Sequence, residues 1–484
     1  MDPLDCGLPS FPSKSPDRAP ATGARNVKYN AKMGKRARCF GFTLLMYTIL
    51  MRRDDRTGVL VAGAGPVGMF TALRLALAGV AVQVIDQESR TAGRSFACAL
   101  HPRTLQLLDE VGAAIEAVQL GRRIETVAFY EGGARCAEVK LSALPGPFPF
   151  VLVLAQSALE DLLERKLREQ HGVKVHWNHR LADLQIRDGA AFAGIEEMAL
   201  AGKGYIVPDF ELQVKRTLSV RADFVVGADG QNSVVRQRLG IASDQVGEPE
   251  LFTVYELETE SALAPEMRIV LDPQTVSVLW PFAENKCRWS FQWPQADAPS
   301  EFPLKDRNRF TISESPGGND SRHQLQQLLA VRAPWFQAGI KDAGWGTVIQ
   351  FEHRLARQFG RDRAWLAGDA AHQTGPVGAQ SMNLGMREAA DLAARLARIL
   401  GEDGPPSLLE AYNLEYRAEW EQLLGLKGGV KADPAAGAWV RERRARPLPC
   451  LPASGSELGL LLSQLGLEWE RPAPHAAAGP QGAQ

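Results

Sequence analysis

The segment from Val59 to Asp86 constrains the fold of this chain more than any other stretch of its sequence. It reads VLVAGAGPVGMFTALRLALAGVAVQVID: a short apolar run, a glycine-rich turn, a helix-like segment and a second apolar run. The first run is typical of a buried parallel strand, and apolar residues recur at helical spacing from Pro66 to Ala78. A strand, a helix and a second strand in this order predict a β-α-β unit, and with it a parallel sheet of the α/β class.

Three glycines lie in the turn between the first strand and the helix. Gly63, Gly65 and Gly68 have the G-x-G-x-x-G spacing that suits a dinucleotide. The first glycine permits the tight turn, the second lets the backbone approach a pyrophosphate, and the third allows the helix to pack closely on the strand. Asp86 ends the second strand, where an acidic side chain usually binds a ribose hydroxyl. The unit predicts a dinucleotide site but does not distinguish FAD from NAD.

The composition favours a globular protein with a small-molecule ligand. The 484 residues are 45% hydrophobic, and 55 Lys and Arg nearly cancel 56 Asp and Glu. This balance predicts no nucleic-acid partner, because the chain carries no bulk positive charge for phosphates. The six cysteines are scattered without a C-x-x-C pair. This pattern argues against a metal site and a disulfide framework, and it predicts a reducing, cytoplasmic location.

Residues 1–50 differ in composition from the rest of the chain. They are rich in proline and hold eight basic residues against three acidic ones, a pattern that predicts disorder. The apolar run 39–51 is too short to span a bilayer. Three interpretations stay open: an organellar presequence, a weak membrane-surface anchor, or a start assigned too far upstream. We favour the last, because Met51 precedes the first strand by a short lead.

Two further motifs place an acidic residue in a turn that follows an apolar strand. FVVGADGQNSVVR runs from Phe224 to Arg236 and puts Asp229 directly after a strand. The second motif begins RAWLAGDAAHQTGPVG and puts Asp369 in the same position, before a loop rich in Gly and Pro. Ligands of open α/β sheets bind at the carboxyl ends of the strands, so both turns are predicted to face a ligand.

Between residues 247 and 347 the alternation of strands and helices lapses. Trp280 lies in one alternating run, and Trp289 and Phe291 lie in a second run after a polar turn. Two such runs predict a β-hairpin with an aromatic face. This face is either the core of a second domain or a wall against which a flat apolar ligand lies.

The order and spacing of GAGPVG, GADG and GDAAH, followed by P-x-G and an asparagine, resemble the flavoprotein aromatic hydroxylases of the para-hydroxybenzoate hydroxylase type, the class A FAD-dependent monooxygenases. The resemblance implies an α/β fold in which a Rossmann-like FAD-binding domain is interleaved with a mainly β-sheet substrate domain. The implied boundaries are 51–124, 151–246 and 348–426 for the FAD-binding domain, 125–150 and 247–347 for the substrate domain, 1–50 for a disordered or mis-assigned extension, and 427–484 for a tail of unclear structure.

The resemblance also implies roles for individual residues. Pro376 lies beside the flavin ring and is the candidate catalytic residue. The aromatic face supplies the candidate substrate contacts, Trp280, Trp289 and Phe291. Cofactor contacts are implied for Gly63, Gly65, Gly68, Asp86, Arg103, Gln156, Asp229, Asp369, Gly378 and Asn383. For Arg103 a solvated surface position is an equal alternative.

The implied activity is that of an NAD(P)H-dependent monooxygenase. NADPH or NADH reduces the FAD, O2 forms a flavin C4a-hydroperoxide, and one oxygen atom passes to an aromatic or polycyclic small molecule. Alternatives are a related flavin-dependent reductase or halogenase, or a flavin-binding protein with weak turnover. Ala379 and Ser381 motivate the last alternative, because they replace two glycines of the usual loop after Pro376. No general base is assigned, and His372 is predicted to be structural rather than catalytic.

Overall fold

The structure, a computed structural model, describes residues 55–91, 99–203, 209–294, 313–315 and 319–469. Strands and helices are numbered in chain order. The strands are β1 (Asp55–Ala62), β2 (Val82–Ile85), β3 (Ala99–Leu100), β4 (Arg122–Ile124), β5 (Thr126–Glu131), β6 (Ala134–Lys140), β7 (Val151–Val153), β8 (Val175–His176), β9 (His179–Arg187), β10 (Ala190–Lys203), β11 (Asp209–Gly227), β12 (Ser243–Gln245), β13 (Glu250–Glu258), β14 (Glu266–Leu271), β15 (Val276–Pro281), β16 (Lys286–Trp293), β17 (Ser313–Ser315), β18 (Asp342–Phe351), β19 (Arg354–Ala356), β20 (Gly360–Arg361), β21 (Ala364–Leu366), β22 (His372–Gln373), β23 (Val430–Ala432) and β24 (Leu467–Trp469). The α-helices are α1 (Pro66–Leu77), α2 (Pro102–Asp109), α3 (Ala114–Leu120), α4 (Gln156–His171), α5 (Val234–Arg238), α6 (Asn319–Arg332), α7 (Gln380–Gly401), α8 (Ser407–Leu423), α9 (Ala438–Glu442) and α10 (Gly455–Gln464).

The first sheet contains eight strands, of which β20, β21, β11, β1, β2 and β8 lie side by side in that order. β1 pairs in parallel with β2 and with the last part of β11, and β11 pairs in parallel with β21. Because α1 connects β1 to β2, the predicted β-α-β unit is present. Val59, Leu60 and Val61 are fully buried, which explains the continuous apolar run: a strand covered on both faces has no polar side.

The three sequence motifs meet at one edge of this sheet. Ala62 is in register with Gly227, and Gly227 is in register with Leu366, so three parallel strands end together. The turns that follow β1, β11 and β21 therefore lie side by side. This is the edge at which open α/β sheets bind their ligands.

The second sheet also has eight strands, in the order β17, β18, β13, β16, β15, β14, β5 and β6. Its pairs are antiparallel except that of β14 with β5. One face packs on α6 through Leu325, Leu328 and Leu329. The strands come from two stretches of chain that are separated by parts of the first sheet. The α/β fold with a dinucleotide-type domain interleaved with a β-sheet domain is thereby confirmed, whereas the exact domain boundaries stay predictions.

Residues 430–469 are folded, which corrects the prediction of a tail of unclear structure for the part that is described. β23 pairs with β24, and α9 and α10 lie between them in the chain. Val440, Leu461 and Leu467 are buried in the core on one face of the second sheet, together with Phe129 of β5. The elements are short and their apolar partners are distant in sequence, so no local periodicity reveals this layer.

Residues 1–54 lie outside the described part of the chain, and so does the whole apolar run 39–51. Among the residues that the structure describes, no helix is both long and apolar enough to cross a membrane. Within the same residues, no group of three or more His, Cys, Asp or Glu side chains is arranged to hold a metal ion.

Candidate active site

Two of the three motif glycines are required by the backbone of the turn itself. Gly63 adopts a φ of +104°, and an added Cβ would lie 2.1 Å from the carbonyl oxygen of Ala228. A Cβ on Gly68 would lie 1.9 Å from the carbonyl oxygen of Gly63. Gly65 differs, because no neighbouring atom of the described residues lies within 4 Å of the position that its Cβ would take. Its open side faces a cavity, so the close approach it allows is to a ligand and not to the protein.

Asp86 supports the glycine turn from the end of β2. Its carboxylate accepts a hydrogen bond from the backbone N–H of Ala64 at 2.6 Å and another from the N–H of Glu88 at 2.8 Å. The side chain is half-buried. The predicted contact of Asp86 with a ribose stays a proposal. Two backbone N–H groups already orient its carboxylate.

Asp229 caps the short helix α5 and keeps one oxygen unpaired. Its Oδ2 accepts from the N–H groups of Val234 at 2.7 Å and Val235 at 3.1 Å. Its Oδ1 is buried and has no hydrogen-bond partner among the described residues. Burial raises the pKa of Asp229, against the hydrogen bonds from Ser233 and the backbone, which lower it. Asp229 is not among the residues that line the cavity beside Gly65, whereas its neighbours Ala228 and Gly230 are. The predicted contact of Asp229 with a cofactor therefore stays a proposal.

A cavity of about 310 Å³ extends from the three turns to the second sheet. On the side of the first sheet its wall includes Gly65 and Asp369, and on the side of the second sheet it includes Trp280 and Phe351. The loop 374–376 completes the wall between them. One continuous space therefore joins the dinucleotide-type turns to an apolar surface.

Asp369 lies on the cavity wall directly after β21. Its side chain is open to the cavity, yet the protein packed around it solvates the charged form poorly and so raises the pKa of Asp369. His372 lowers that pKa, and the negative charge of Glu388 adds to the rise. Asp369 thus presents a carboxyl group to the ligand space in a poorly solvating environment.

Five of the predicted site residues line this cavity: Gly65, Gln156, Trp280, Asp369 and Pro376. They come from four separate parts of the chain, and the fold brings them together around one space. Their contacts with a bound cofactor or substrate remain proposals.

The structure corrects the prediction that Trp289 and Phe291 contact a substrate. In the antiparallel pairing of β15 with β16, Trp280 is opposite Arg288. Trp289 is opposite Leu279. Arg288 therefore shares the cavity face with Trp280, and Trp289 points to the other face, because adjacent residues of a strand alternate. The rings of Trp289 and Phe291 stack with their centroids 5.0 Å apart, in the core beneath α6. These two residues therefore belong to the core of the second sheet, which is the other alternative that the sequence left open.

Asn383 is a structural residue rather than the predicted cofactor contact. It is fully buried, and its Oδ1 accepts from the N–H of His101 at 2.8 Å and from the hydroxyl of Thr104 at 2.7 Å. Its Nδ2 donates to the carbonyl oxygens of Ala99 at 2.9 Å and Ala379 at 2.7 Å. An amide side chain has two donor hydrogens and two acceptor sites, so its capacity is used and none remains for a cofactor.

The structure does not bring Arg103 and Gly378 to the cavity wall. The side chain of Arg103 is 43% exposed and its Nη1 donates to Gln106 at 2.9 Å, in agreement with the solvated alternative. Gly378 faces the C-terminal segment, where an added Cβ would lie 2.4 Å from the carbonyl oxygen of Pro449. The small size of Gly378 is therefore required by a contact within the protein.

Sequence reasoning missed several polar residues on the cavity wall. Arg288 is 4% exposed, and its Nε donates to Glu256 at 3.0 Å, so an ion pair lies beside Trp280. Ser290 and Glu352 also line the cavity. Strand alternation alone identifies Arg288 and Ser290 once the register of the hairpin is known, but the sequence does not fix that register.

A chain of polar groups leads from the cavity wall toward the surface. Thr374 lines the cavity, and its hydroxyl oxygen lies 3.4 Å from Nδ1 of His353. Nε2 of His353 lies 3.2 Å from a carboxylate oxygen of Glu250. The side chains of His353 and Glu250 are 19% and 27% exposed, so the far end of the chain reaches solvent. The other carboxylate oxygen of Glu250 accepts from Gln292 at 3.1 Å, which fixes its orientation.

A second polar cluster lies buried behind the turn that carries Asp369. Nε2 of His372 and the backbone N–H of Gly368 both donate to Oε2 of Glu388, at 2.8 and 2.9 Å. The indole N–H of Trp420 donates to Oε1 of Glu388 at 2.8 Å, and its ring stacks on His372 at 3.9 Å. This cluster supports the structural role predicted for His372, and it positions the residue that precedes Asp369.

His101 is a buried histidine behind the loop that contains Gly378. Its Nε2–H donates to the carbonyl oxygen of Gly378 at 2.9 Å, since that oxygen can only accept. The pKa of His101 is lowered from 6.5 to about 3, mainly by burial. The hydrogen bond to Gly378 raises this pKa, and the positive charge of Arg387 lowers it. The folded protein therefore holds His101 neutral over a pH range in which the unfolded chain protonates it.

This depressed pKa predicts that the fold loses stability in acid through His101. Between about pH 6.5 and pH 3 the unfolded chain binds a proton that the folded protein does not, so the free energy of unfolding falls as the pH falls. We expect wild type to lose up to about 1.4 kcal/mol per pH unit more than the His101→Gln variant, which keeps a donor for Gly378. Urea denaturation of both proteins across this range measures the difference, and equal slopes would contradict it.

The fold and the cavity together define an α/β protein with an FAD-type nucleotide site opposite a β-sheet wall. The chain belongs to the family described as FAD binding domain, whose model matches residues 56–425. The resemblance to the class A flavoprotein monooxygenases is thereby confirmed.

Three characterised relatives illustrate the family. The chain is 26% identical over 387 residues to pentachlorophenol 4-monooxygenase of Sphingobium chlorophenolicum, a match that covers 76% of this chain and 63% of the relative. It is 29% identical over 365 residues to 6-methylpretetramide 4-monooxygenase of Streptomyces rimosus, covering 75% of this chain and 59% of the relative. It is 26% identical over 369 residues to para-nitrophenol 4-monooxygenase of a Pseudomonas species (strain WBC-3), covering 74% and 82%. The chain thus spans less than two thirds of the length of the first two relatives.

Solved structures share the fold. The p-nitrophenol 4-monooxygenase PnpA from Pseudomonas putida DLL-E4 superposes with a TM-score of 0.64 at 23% identity, covering 85% of this chain and 97% of PnpA. The flavin-dependent monooxygenase PieE, solved in complex with FAD and substrate, superposes with a TM-score of 0.61 at 19% identity, covering 85% of this chain and 69% of PieE. At these identities the likeness establishes the fold.

Proposed function

We propose that this protein is an FAD-dependent monooxygenase that inserts one oxygen atom of O2 into an aromatic or polycyclic small molecule, with NADPH or NADH as the electron donor. The observation that carries the proposal is the continuous cavity, which joins Gly65 and Asp369 on one side to Trp280 and Phe351 on the other. The aromatic substrates in the names of the relatives support the substrate class. The cytoplasmic location predicted from the cysteines stays a prediction.

The residues present fit FAD. Gly65 leaves open space on the cavity where a pyrophosphate would approach the backbone. Asp369 offers a carboxyl group on the same cavity. When bound, the flavin supplies the redox chemistry that no side chain can, because it takes two electrons from NAD(P)H and activates O2. The overall reaction is R–H + O2 + NAD(P)H + H⁺ → R–OH + NAD(P)⁺ + H2O.

The wall of the cavity on the second sheet combines an apolar surface with polar groups. Trp280, Ile349 and Phe351 form an apolar surface on which a flat ring can lie, and such a surface keeps water away from a reactive site. The buried pair of Arg288 with Glu256 lies at one part of this wall. An aromatic compound that carries a polar substituent therefore suits the pocket better than a plain hydrocarbon.

The side chains of Thr374, His353 and Glu250 offer a proton path for a phenolic substrate. The hydroxyl of Thr374 accepts the phenol proton while it donates its own to Nδ1 of His353, and Nε2–H of His353 passes a proton to Glu250. Glu250 exchanges with solvent, because its side chain is partly exposed. Loss of the proton makes the ring electron-rich, which favours oxygen transfer to it.

The His353→Gln variant tests this path, because glutamine keeps the polar contacts but does not relay a proton. We expect 4-nitrophenol to ionise more slowly after it binds, and turnover to fall about 100-fold. Difference absorbance of the nitrophenolate and steady-state kinetics measure the two effects. His323→Gln, on the exposed part of α6, is the matched control. Wild-type ionisation and turnover in His353→Gln would contradict the path.

The experiment for the proposed function is an absorbance spectrum of the purified protein, followed by NADPH and NADH oxidation under air. Phenol, 4-nitrophenol and a hydroxylated polycyclic quinone serve as probes. A bound-flavin spectrum with substrate-stimulated oxidation and a hydroxylated product is the expected result. A protein that binds no flavin would overturn the proposal, and bound flavin without any oxygenated product would favour a reductase, a halogenase or a protein with weak turnover.

A further inference from the structure

We propose that residues 448–457, here called the C-terminal strap, position the flavin-side loop 376–380 and tie it to the second sheet. The inference rests on the proposed function, because the loop contributes Pro376, Ala379 and Gln380 to the wall of the cavity. Among the described residues that line the cavity, none belongs to the strap. It acts through the loop, so its residues are positioning residues and not catalytic ones.

The strap contacts the loop closely at two points. The side-chain amide of Gln380 donates to the carbonyl oxygen of Leu451 at 2.6 Å, and this bond is buried. The carbonyl oxygen of Pro449 lies against Gly378, where an added Cβ would come within 2.4 Å. Val377 packs in the same apolar core as Leu451. The loop is thus held by a hydrogen bond, a tight backbone contact and a buried side chain.

The loop needs such support because of its backbone conformation. Ala379 has a φ of +52° and a ψ of 38°, the left-handed region that residues with a Cβ rarely adopt. Strained conformations of this kind persist where the surroundings over-determine them. Asn383 holds the carbonyl oxygen of Ala379 from within α7, and the strap holds the residues on either side of Ala379.

The strap is anchored independently of the loop. Glu457, which is buried, accepts from the backbone N–H of Arg103 at 3.1 Å and from the side chain of Gln106 at 3.2 Å, both in α2. Just before the strap, Nη2 of Arg446 donates at 2.9 Å to the carbonyl oxygen of Thr275, the residue that precedes β15. Trp439 of α9 donates to Glu131 of β5 at 2.7 Å. These contacts join the second sheet, the strap and α2, and the loop rests on the strap.

Gly378→Ala is the direct test, because the new Cβ wedges the loop away from Pro449 without entering the cavity. Gly459→Ala is the matched control, because it lies in α10 just after the strap, and no atom of the described neighbouring residues is within 4 Å of the added Cβ. We expect the Kd for FAD to rise about ten-fold in Gly378→Ala, with a changed visible circular dichroism of the flavin that remains bound. We expect no change in either quantity for Gly459→Ala. Both are measured on the full chain below the melting temperature of each apoprotein.

Glu457→Ala is the second variant, which removes the anchor of the strap on α2 without touching the cavity. We expect it to raise the Kd for FAD in the same direction, by about three-fold, and it carries the test if Gly378→Ala does not fold. A merely structural role would lower the melting temperature and leave the Kd and the flavin dichroism unchanged, and that result would overturn the inference. If wild type itself binds no FAD, the proposed function fails, which is a distinct outcome.

Discussion

Replacing Gly65 by alanine is expected to abolish FAD binding while it leaves the apoprotein folded. Gly65 has an ordinary φ of −69°, and within the described part of the chain no neighbouring atom lies within 4 Å of the position that its Cβ would take, so alanine meets no obstacle there. The Cβ would instead occupy the space of the cavity at the N-terminus of α1, where a pyrophosphate must approach the backbone. We expect the Kd for FAD to rise about 100-fold or more, which corresponds to about 2.7 kcal/mol.

Fluorescence titration with FAD measures this loss, and the melting temperature of the apoprotein establishes that the fold is intact. Gly68→Ala provides the contrast, because its Cβ would lie 1.9 Å from the carbonyl oxygen of Gly63. That variant should lose the fold and the cofactor together. If Gly65→Ala binds FAD as wild type does, the assignment of this turn to the pyrophosphate is wrong.

The Glu388→Ala variant should lose about 3–5 kcal/mol of unfolding free energy, the largest effect on stability that we expect from one side chain of the site. Glu388 is fully buried and accepts from the N–H of Gly368, from Nε2 of His372 and from the indole of Trp420. Alanine leaves all three donors buried without an acceptor, and each such group costs about 1–3 kcal/mol. Because Gly368 precedes Asp369, FAD affinity should fall as well.

Urea denaturation followed by far-ultraviolet circular dichroism measures this change in unfolding free energy. Glu402→Ala is the control at the exposed end of the same helix, where the carboxylate lies 3.7 Å from Arg398. An exposed pair contributes about 1 kcal/mol at most, so this variant should remain close to wild type. A loss below about 1 kcal/mol in Glu388→Ala would mean that the three donors find other partners.

The local part of the fold could be predicted from sequence because local signals specify it. The β-α-β unit follows from the apolar run before Gly63 and the helical spacing after it, and both depend on residues that are close in the chain. The roles of Gly63 and Gly68 also follow from spacing alone. The position of Asp229 and Asp369 at the same sheet edge could be predicted as well, because each closely follows an apolar strand.

The errors concern features that depend on non-local register. The sequence shows that Trp280 and Trp289 both lie in alternating runs, but a turn of different length would reverse which of them share a face. Asn383 matches a family position, yet its four partners come from regions as distant as Ala99, and only the fold reveals that its amide is fully used. The layer 430–469 is similar, because its core partners belong to the second sheet.

The origin of the oxygen atom in the product tests the proposed monooxygenase activity most directly. The purified protein is incubated with NADPH and 18O2 in ordinary water, with phenol, 4-nitrophenol and a hydroxylated polycyclic quinone as probes. The masses of the products are then measured by mass spectrometry. We expect a hydroxylated product that carries one 18O atom and that forms only when FAD is bound. A product whose new oxygen comes from water, or bound FAD that oxidises NADPH without labelling any of the probes, would contradict it.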